Sequence, residues 1–226
     1  MIADIKPRAK EIMKADGLNL TIGAGIFVLI GVLAAQIGGG IISDALSGLI
    51  TSVCAACSAC FFFRAYNRGK ADINDVYSLL TDSVHMPKML TIILAMWLIH
   101  FILGICSTFM AFIPVLGLIA VLVITLIASF ALLVVWYLFV ANPDYPTEYY
   151  LKGSMKYMKG NYFMYFGFVI SVIFVPALIE GAVALVLGNT IASVLCIPFE
   201  AYINLCIAGF FSYIIPDHWF NGTEVF

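Results

Sequence analysis

Residues 89–141, MLTIILAMWLIHFILGICSTFMAFIPVLGLIAVLVITLIASFALLVVWYLFVA, contain no Asp, Glu, Lys or Arg. A single helix of that length would far exceed the roughly 30 Å hydrocarbon core of a bilayer, so the run must hold two spans. Pro114, with Gly117 behind it, divides the run into about 89–112 and 115–141, because proline deletes a helical hydrogen bond and clashes with the preceding turn. Working outward, residues 18–63 carry Asp44 as their only charge, inside a polar break of Ser43, Asp44, Ser47 and Gly48. That stretch reads as spans 18–42 and 46–63. Residues 162–215 hold only Glu180 and Glu200, and Gly188-Asn189-Thr190 separates spans 162–187 and 191–215. Barrel strands would alternate apolar and polar in segments of about ten residues, so these continuous runs are helices.

Composition agrees. Of 226 residues 63% are hydrophobic and 11% charged, with a formal net charge of -2 and a mean hydropathy of +1.07. A soluble domain carries about 25% charged residues, and a nucleic-acid binder needs a basic surface; neither is present. The expected architecture is an all-α polytopic bundle of six transmembrane helices, in three hairpins, forming one domain over residues 1–226.

The basic residues orient the bundle. Lys6, Arg8, Lys10 and Lys14 precede span one; Arg64, Arg68, Lys70 and Lys88 lie between spans two and three; Lys152, Lys156 and Lys159 lie between spans four and five. All eleven fall on one side, which the positive-inside rule makes cytoplasmic, together with both termini. The first apolar stretch, about 25 residues, is longer than a signal-peptide core and reads as a retained span. Asn221-Gly222-Thr223 has the form of a glycosylation acceptor but falls in the cytoplasmic tail.

Each hairpin is preceded by a short amphipathic segment expected to form a helix at the cytoplasmic surface. Ile5, Ala9, Ile12 and Met13 share one face; Ile73, Val76, Tyr77 and Leu80 repeat the spacing, as do Leu151, Met155 and Met158. Asp4, Asp72 and Asp144 are the candidate caps, 68 and 72 residues apart, and Gly160 is placed to end the third helix. Three copies of one unit would surround an axis along the membrane normal. Any six-span protein with short outer turns shows similar regularity, so both readings stand. Mitochondrial carriers share the three-hairpin plan, but their Pro-x-acid-x-x-base motif is absent.

Four stretches carry a family resemblance: IKPRAKEIMK (5–14), FFFRAYNRGKADINDVYSLL (61–80), ANPDYPTEYYLKGSMKYMKGNYFMYF (141–166) and IPFEAYINLCIAGFF (197–211). In them the chain resembles the bacterial domain-of-unknown-function family nine-seven-five. The resemblance implies a six-span protein of the bacterial cytoplasmic membrane and brings no catalytic residue, cofactor or ligand. The chain departs from that family in lacking a Trp-rich patch in span five and in carrying Glu200 where an aromatic is more usual.

Glu180 and Glu200 are the sharpest anomalies, because an ionisable group at the bilayer centre costs about 2.5–3.5 kcal/mol or more unless paired, hydrated or neutral. Both lie roughly 12–15 Å from the outer turn at 1.5 Å per residue. His100, Asn204 and Gln36 are candidates to share protons or hydrogen bonds with them, and Pro176 and Pro198 stand nearby. One reading is a proton- or cation-linked pocket; the other is neutral acids held between helices. Lys152, Lys156 and Lys159 form a stripe suited to anionic inner-leaflet lipids, or serve only as topogenic charge. Tyr145, Tyr149, Tyr150, Tyr157 and Tyr162 cluster there as an interfacial aromatic belt. Cys54, Cys57 and Cys60 lie among alanines and read as small-residue packing rather than redox or metal chemistry. No zinc-protease, nucleophile-elbow or P-loop motif occurs. The expectation is a non-catalytic, cofactor-free membrane module that binds lipid or a protein partner, which includes a second copy of the chain. A small transporter or lipid permease is the alternative.

Overall fold

The structure, a computed structural model, describes residues 2–37, 40–110 and 116–220. The break expected at Pro114 and the Asn221-Gly222-Thr223 triplet lie outside these residues. Six helices are long and apolar enough to cross a membrane, and no strand occurs among the described residues.

The first hairpin is α1 (Ile2–Ala35) and α2 (Ile41–Arg68). A 3-10 turn (Ile73–Val76) and the one-turn helix α3 (Ser78–Thr81) lead to α4 (His85–Met110) and α5 (Leu116–Ala141). Helix α6 (Thr147–Met158) precedes α7 (Tyr162–Leu187), and the last span is in two parts, α8 (Asn189–Leu195) and α9 (Ile197–Ile214). The short α10 (Asp217–Phe220) closes the described chain.

The second helix of each hairpin is the inner one. Helices α2, α5 and α9 touch one another, while α1 lies against α2 and α9 and α4 against α5 and α2. Helix α7 lies against α9 and reaches α5 through Phe130, whose ring centroid is 5.0 Å from that of Tyr165. Burial follows the same division: 39% of α2's apolar stretch is buried against 22% of α1's, 24% of α5's against 17% of α4's, and 44% of α9's against 6% of α7's. Three inner helices ringed by three outer ones is the arrangement a threefold repeat of hairpins would produce.

Packing is concentrated at the end of the bundle that carries the Lys and Arg residues, the basic end. There Cys60 to Phe63 of α2, Val134 to Phe139 of α5 and Leu205 to Phe211 of α9 supply most of a largely aromatic core. Residues Val134 to Phe139 are buried on every side. A helix apolar all round needs cover all round, and α6 supplies the outer cover by folding back along α5. Tyr150 packs on Phe139, with ring centroids 5.5 Å apart, and Gly153 is small enough to admit Leu138 and Trp219. The Trp219 indole N–H donates to the Leu138 carbonyl at 3.0 Å. Toward the far end the helices part. Leu98, Phe101, Ile105 and Phe109 of α4, Ile119 and Leu122 of α5, and Leu178, Leu185 and Val186 of α7 are exposed, as lipid-facing side chains would be.

Several expectations are refined. The first amphipathic segment is helical, and Asp16 (φ -143, ψ 32) kinks it away from span one. Its buried residues Ile5, Ala9 and Ile12 belong to the protein core, beside α9 at Gly209. The second segment is a 3-10 turn plus one helical turn, because Asp75 is drawn inward to Arg64 and Arg68. Val76 and Leu79 are therefore buried, whereas Tyr77 and Leu80 of the expected face are exposed. In α6 the buried face is Tyr150, Gly153, Ser154, Tyr157 and Met158, and Met155 is exposed. Aromatic rings here outcompete the aliphatic stripe for Trp219, so Tyr150 and Tyr157 are core residues rather than members of an interfacial belt. Of the three candidate caps, Asp72 accepts a backbone N–H at a helix start, from Asn74. Pro146 stands at the α6 cap position, and Asp4 lies inside α1. Gly160 (φ 87) follows α6 as expected. Span six breaks at Cys196, since Pro198 has no N–H to continue the ladder and takes the second position of α9.

Candidate functional site

Where the hairpins separate, each interface between them leaves a cleft. Between the third and first hairpins a cleft of about 310 Å³ is lined by Val28, Gly31, Val32 and Ala35 of α1 with Glu180, Ser193 and Glu200. The two acids are thus brought together, on α7 and α9. The break at Cys196 puts Glu200 in the first turn of α9, where the positive end of the helix dipole favours a carboxylate. Asn204 does not reach the Glu200 carboxyl; its amide donates to the Glu200 backbone carbonyl at 2.9 Å. Gln36 lies just beyond α1, exposed, with its backbone N–H on the Leu33 carbonyl.

His100 belongs to a different place. Between the first and second hairpins a cleft of about 670 Å³ holds His100 and Trp97 of α4 opposite Asp44, Ser47, Thr51 and Ser52 of α2. The residues Asp44, Ser47 and Thr51 fall at helical spacing and present one polar face. The Trp97 indole N–H donates to the Ser52 hydroxyl at 3.1 Å, and His100 Nδ1 lies 2.8 Å from the Met96 carbonyl. The expected pocket of Glu180, Glu200 and His100 is therefore two clefts on different sides of the bundle. Asp44, read from the sequence as part of a turn, is the acid that faces His100's cleft. Its spacing to Ser47 and Thr51 was the available signal.

The third cleft, between the second and third hairpins, is about 360 Å³ and is lined by Val123, Leu126, Ile127, Phe130, Tyr162, Phe163 and Phe166. It is apolar apart from the Tyr162 hydroxyl, and its α7 wall begins three residues after Lys159. Lys152 and Lys156 of α6 and Lys159, which follows it, are exposed. Lys152 pairs with Glu148 at 3.4 Å, and Lys156 lies over the Tyr157 ring at 5.6 Å from its centroid.

A fourth cavity, about 620 Å³, lies at the basic end among the C-terminal ends of the inner helices, with α10 beside it. It contains Arg64 and Arg68, held by an ion-pair triad that the sequence did not reveal. Asp75 Oδ1 accepts from Arg64 Nη1 and Asp75 Oδ2 from Arg68 Nη1, each at 2.7 Å. Cys57 and Cys60 are buried in the core beside Ala56 and Ala59, and no cluster of three His, Cys, Asp or Glu with metal-binding geometry occurs among the described residues. No family model, curated protein or solved structure matches the chain.

Proposed function

We propose that this protein is a non-catalytic module of the bacterial cytoplasmic membrane, of the family nine-seven-five type, with both termini cytoplasmic, and that it holds phospholipid at its flank. The observation that carries this reading is the apolar cleft between α5 and α7. Its six apolar side chains and Tyr162 line an open groove of about 360 Å³, within the 300–1,000 Å³ typical of small-molecule sites. An acyl chain is the occupant such walls suit. The exposed Lys152, Lys156 and Lys159 precede the cleft's α7 wall, and lysines near a membrane surface attract anionic headgroups at about 1 kcal/mol each. Cross-linking with a phospholipid that carries a photoreactive acyl chain tests the reading. Label should concentrate on the residues of this cleft and fall severalfold when Ile127→Trp fills it. Uniform labelling around the bundle, unchanged by that substitution, would overturn it.

A second reading, a small proton- or cation-linked transporter, is favoured by one observation: Glu180 and Glu200 share a cleft. Acids inside a membrane bundle commonly mark ion pathways. Under this reading, Glu180→Gln with Glu200→Gln abolishes flux in proteoliposomes at unchanged expression. Equal flux for wild type and the double variant removes it for the substrate tested.

A further inference from the structure

The cavity at the basic end lies apart from all three lateral clefts, and its chemistry is unlike theirs. Arg64 and Arg68 are four residues apart on α2, so their side chains leave the same helix face. Asp75, only 7% exposed, spends one carboxylate oxygen on each guanidinium. That holds both arginines on one carboxylate. A guanidinium has five N–H donors. Arg68 uses only Nη1, on Asp75, and Arg64 uses only Nη1, on Asp75 and Ser78. The Nε and Nη2 donors of both are therefore uncommitted among the described residues, and both arginines line the cavity.

Charge narrows the ligand. Two guanidiniums and one carboxylate leave a single positive charge at the triad. Asp217 of α10 lines the same cavity, is exposed, and has no ionic partner among the described residues. The cavity thus offers one net positive charge with planar donor forks, and one negative charge. Guanidinium forks match phosphate oxygens in two-point contact, which an ammonium cannot do. A carboxylate in the same space disfavours a dianion and suits a cationic group.

We propose that this cavity binds a zwitterionic phosphodiester, its phosphate on Arg64 and Arg68 and its ammonium on Asp217. Ethanolamine-type headgroups have that chemistry, either on a phospholipid or as the soluble glycerol diester. The proposal goes beyond acyl-chain binding at α5 and α7, and its failure leaves that reading untouched.

The test is native mass spectrometry of the full-length protein in detergent. It is titrated separately with dioleoyl-phosphatidylethanolamine, dioleoyl-phosphatidylglycerol and soluble glycerophosphoethanolamine. Wild type should bind one ethanolamine lipid at least tenfold more tightly than the glycerol lipid. Asp217→Asn should erase that preference while leaving binding of the glycerol lipid unchanged. The triple variant Arg64→Gln, Arg68→Gln, Asp75→Asn, which removes the whole triad and strands no buried charge, should weaken both by tenfold or more. Binding of the soluble diester with the same dependence on Asp217 and the arginines, without binding of the lipid, also supports the proposal and assigns the soluble source. Wild type that does not discriminate between the compounds, or variants that bind all of them as wild type does, overturn it.

Discussion

At the scale of single residues, the bundle is held by places where a side chain is missing. A Cβ on Gly209 would lie 2.5 Å from the Tyr66 ring and 2.9 Å from Ile5, so α9 can meet α1 and α2 only through glycine. Forced overpacking typically costs about 1–3 kcal/mol. Gly209→Val is therefore expected to lower the unfolding midpoint in detergent clearly. Gly181→Ala, with nothing within 4 Å of its Cβ, should leave the midpoint unchanged or slightly raised, since alanine is the better helix former. Equal midpoints for the two variants would refute the close approach. Nothing local says which glycine meets a ring: Gly209 sits among apolar residues and Gly181 follows Glu180, and only the fold brings Tyr66 against the first. Asp75 was equally hidden: it reads as a helix-start acid, and only the fold shows that it joins two arginines one helical turn apart.

At the scale of elements, the start of α4 shows how polar caps end the loops between hairpins. The His85 ring hydrogen-bonds the Asp82 carboxyl, and the same carboxyl accepts the backbone N–H groups of Val84 and His85. The His85 ring bond first, then these N–H groups, hold the Asp82 pKa below the usual aspartate range. A carboxyl whose folded pKa is depressed contributes stability above its unfolded pKa, near 3.9, and loses that contribution as pH falls through the folded value. Asp82→Asn should therefore unfold at a lower temperature than wild type at pH 7, and the gap should close below about pH 4. A gap independent of pH would contradict this origin. Element type and span number were legible in the sequence because charge-free runs of this length have one physical solution. The amphipathic segments were less legible, because period alone does not say whether a protein or a membrane covers the apolar face. In α6 the decision went to the tyrosines, through Trp219, which lies more than sixty residues later in the chain.

At the scale of the whole molecule, the protein is packed at its basic end and parted toward the other. Phe61, Phe62, Phe139, Phe210 and Phe211 are fully buried, while the far halves of α4, α5 and α7 carry exposed apolar side chains. The parting creates one cleft between each pair of hairpins, with acid, polar or apolar walls. The sequence grouped Glu180, Glu200 and His100 by depth; the fold puts the two acids along one cleft and His100 along another, because angle around the bundle cannot be read from the sequence. The apolar cleft carried no sequence signal at all, since its residues are the kind every span uses. Mass spectrometry of the protein taken directly into native lipid nanodiscs, then released into detergent, addresses the lipid-binding account most directly. The account predicts phospholipid retained at a fixed ratio of at least one per chain, and reduced in Ile127→Trp. Protein that emerges free of lipid, or lipid retention that Ile127→Trp does not change, would contradict it.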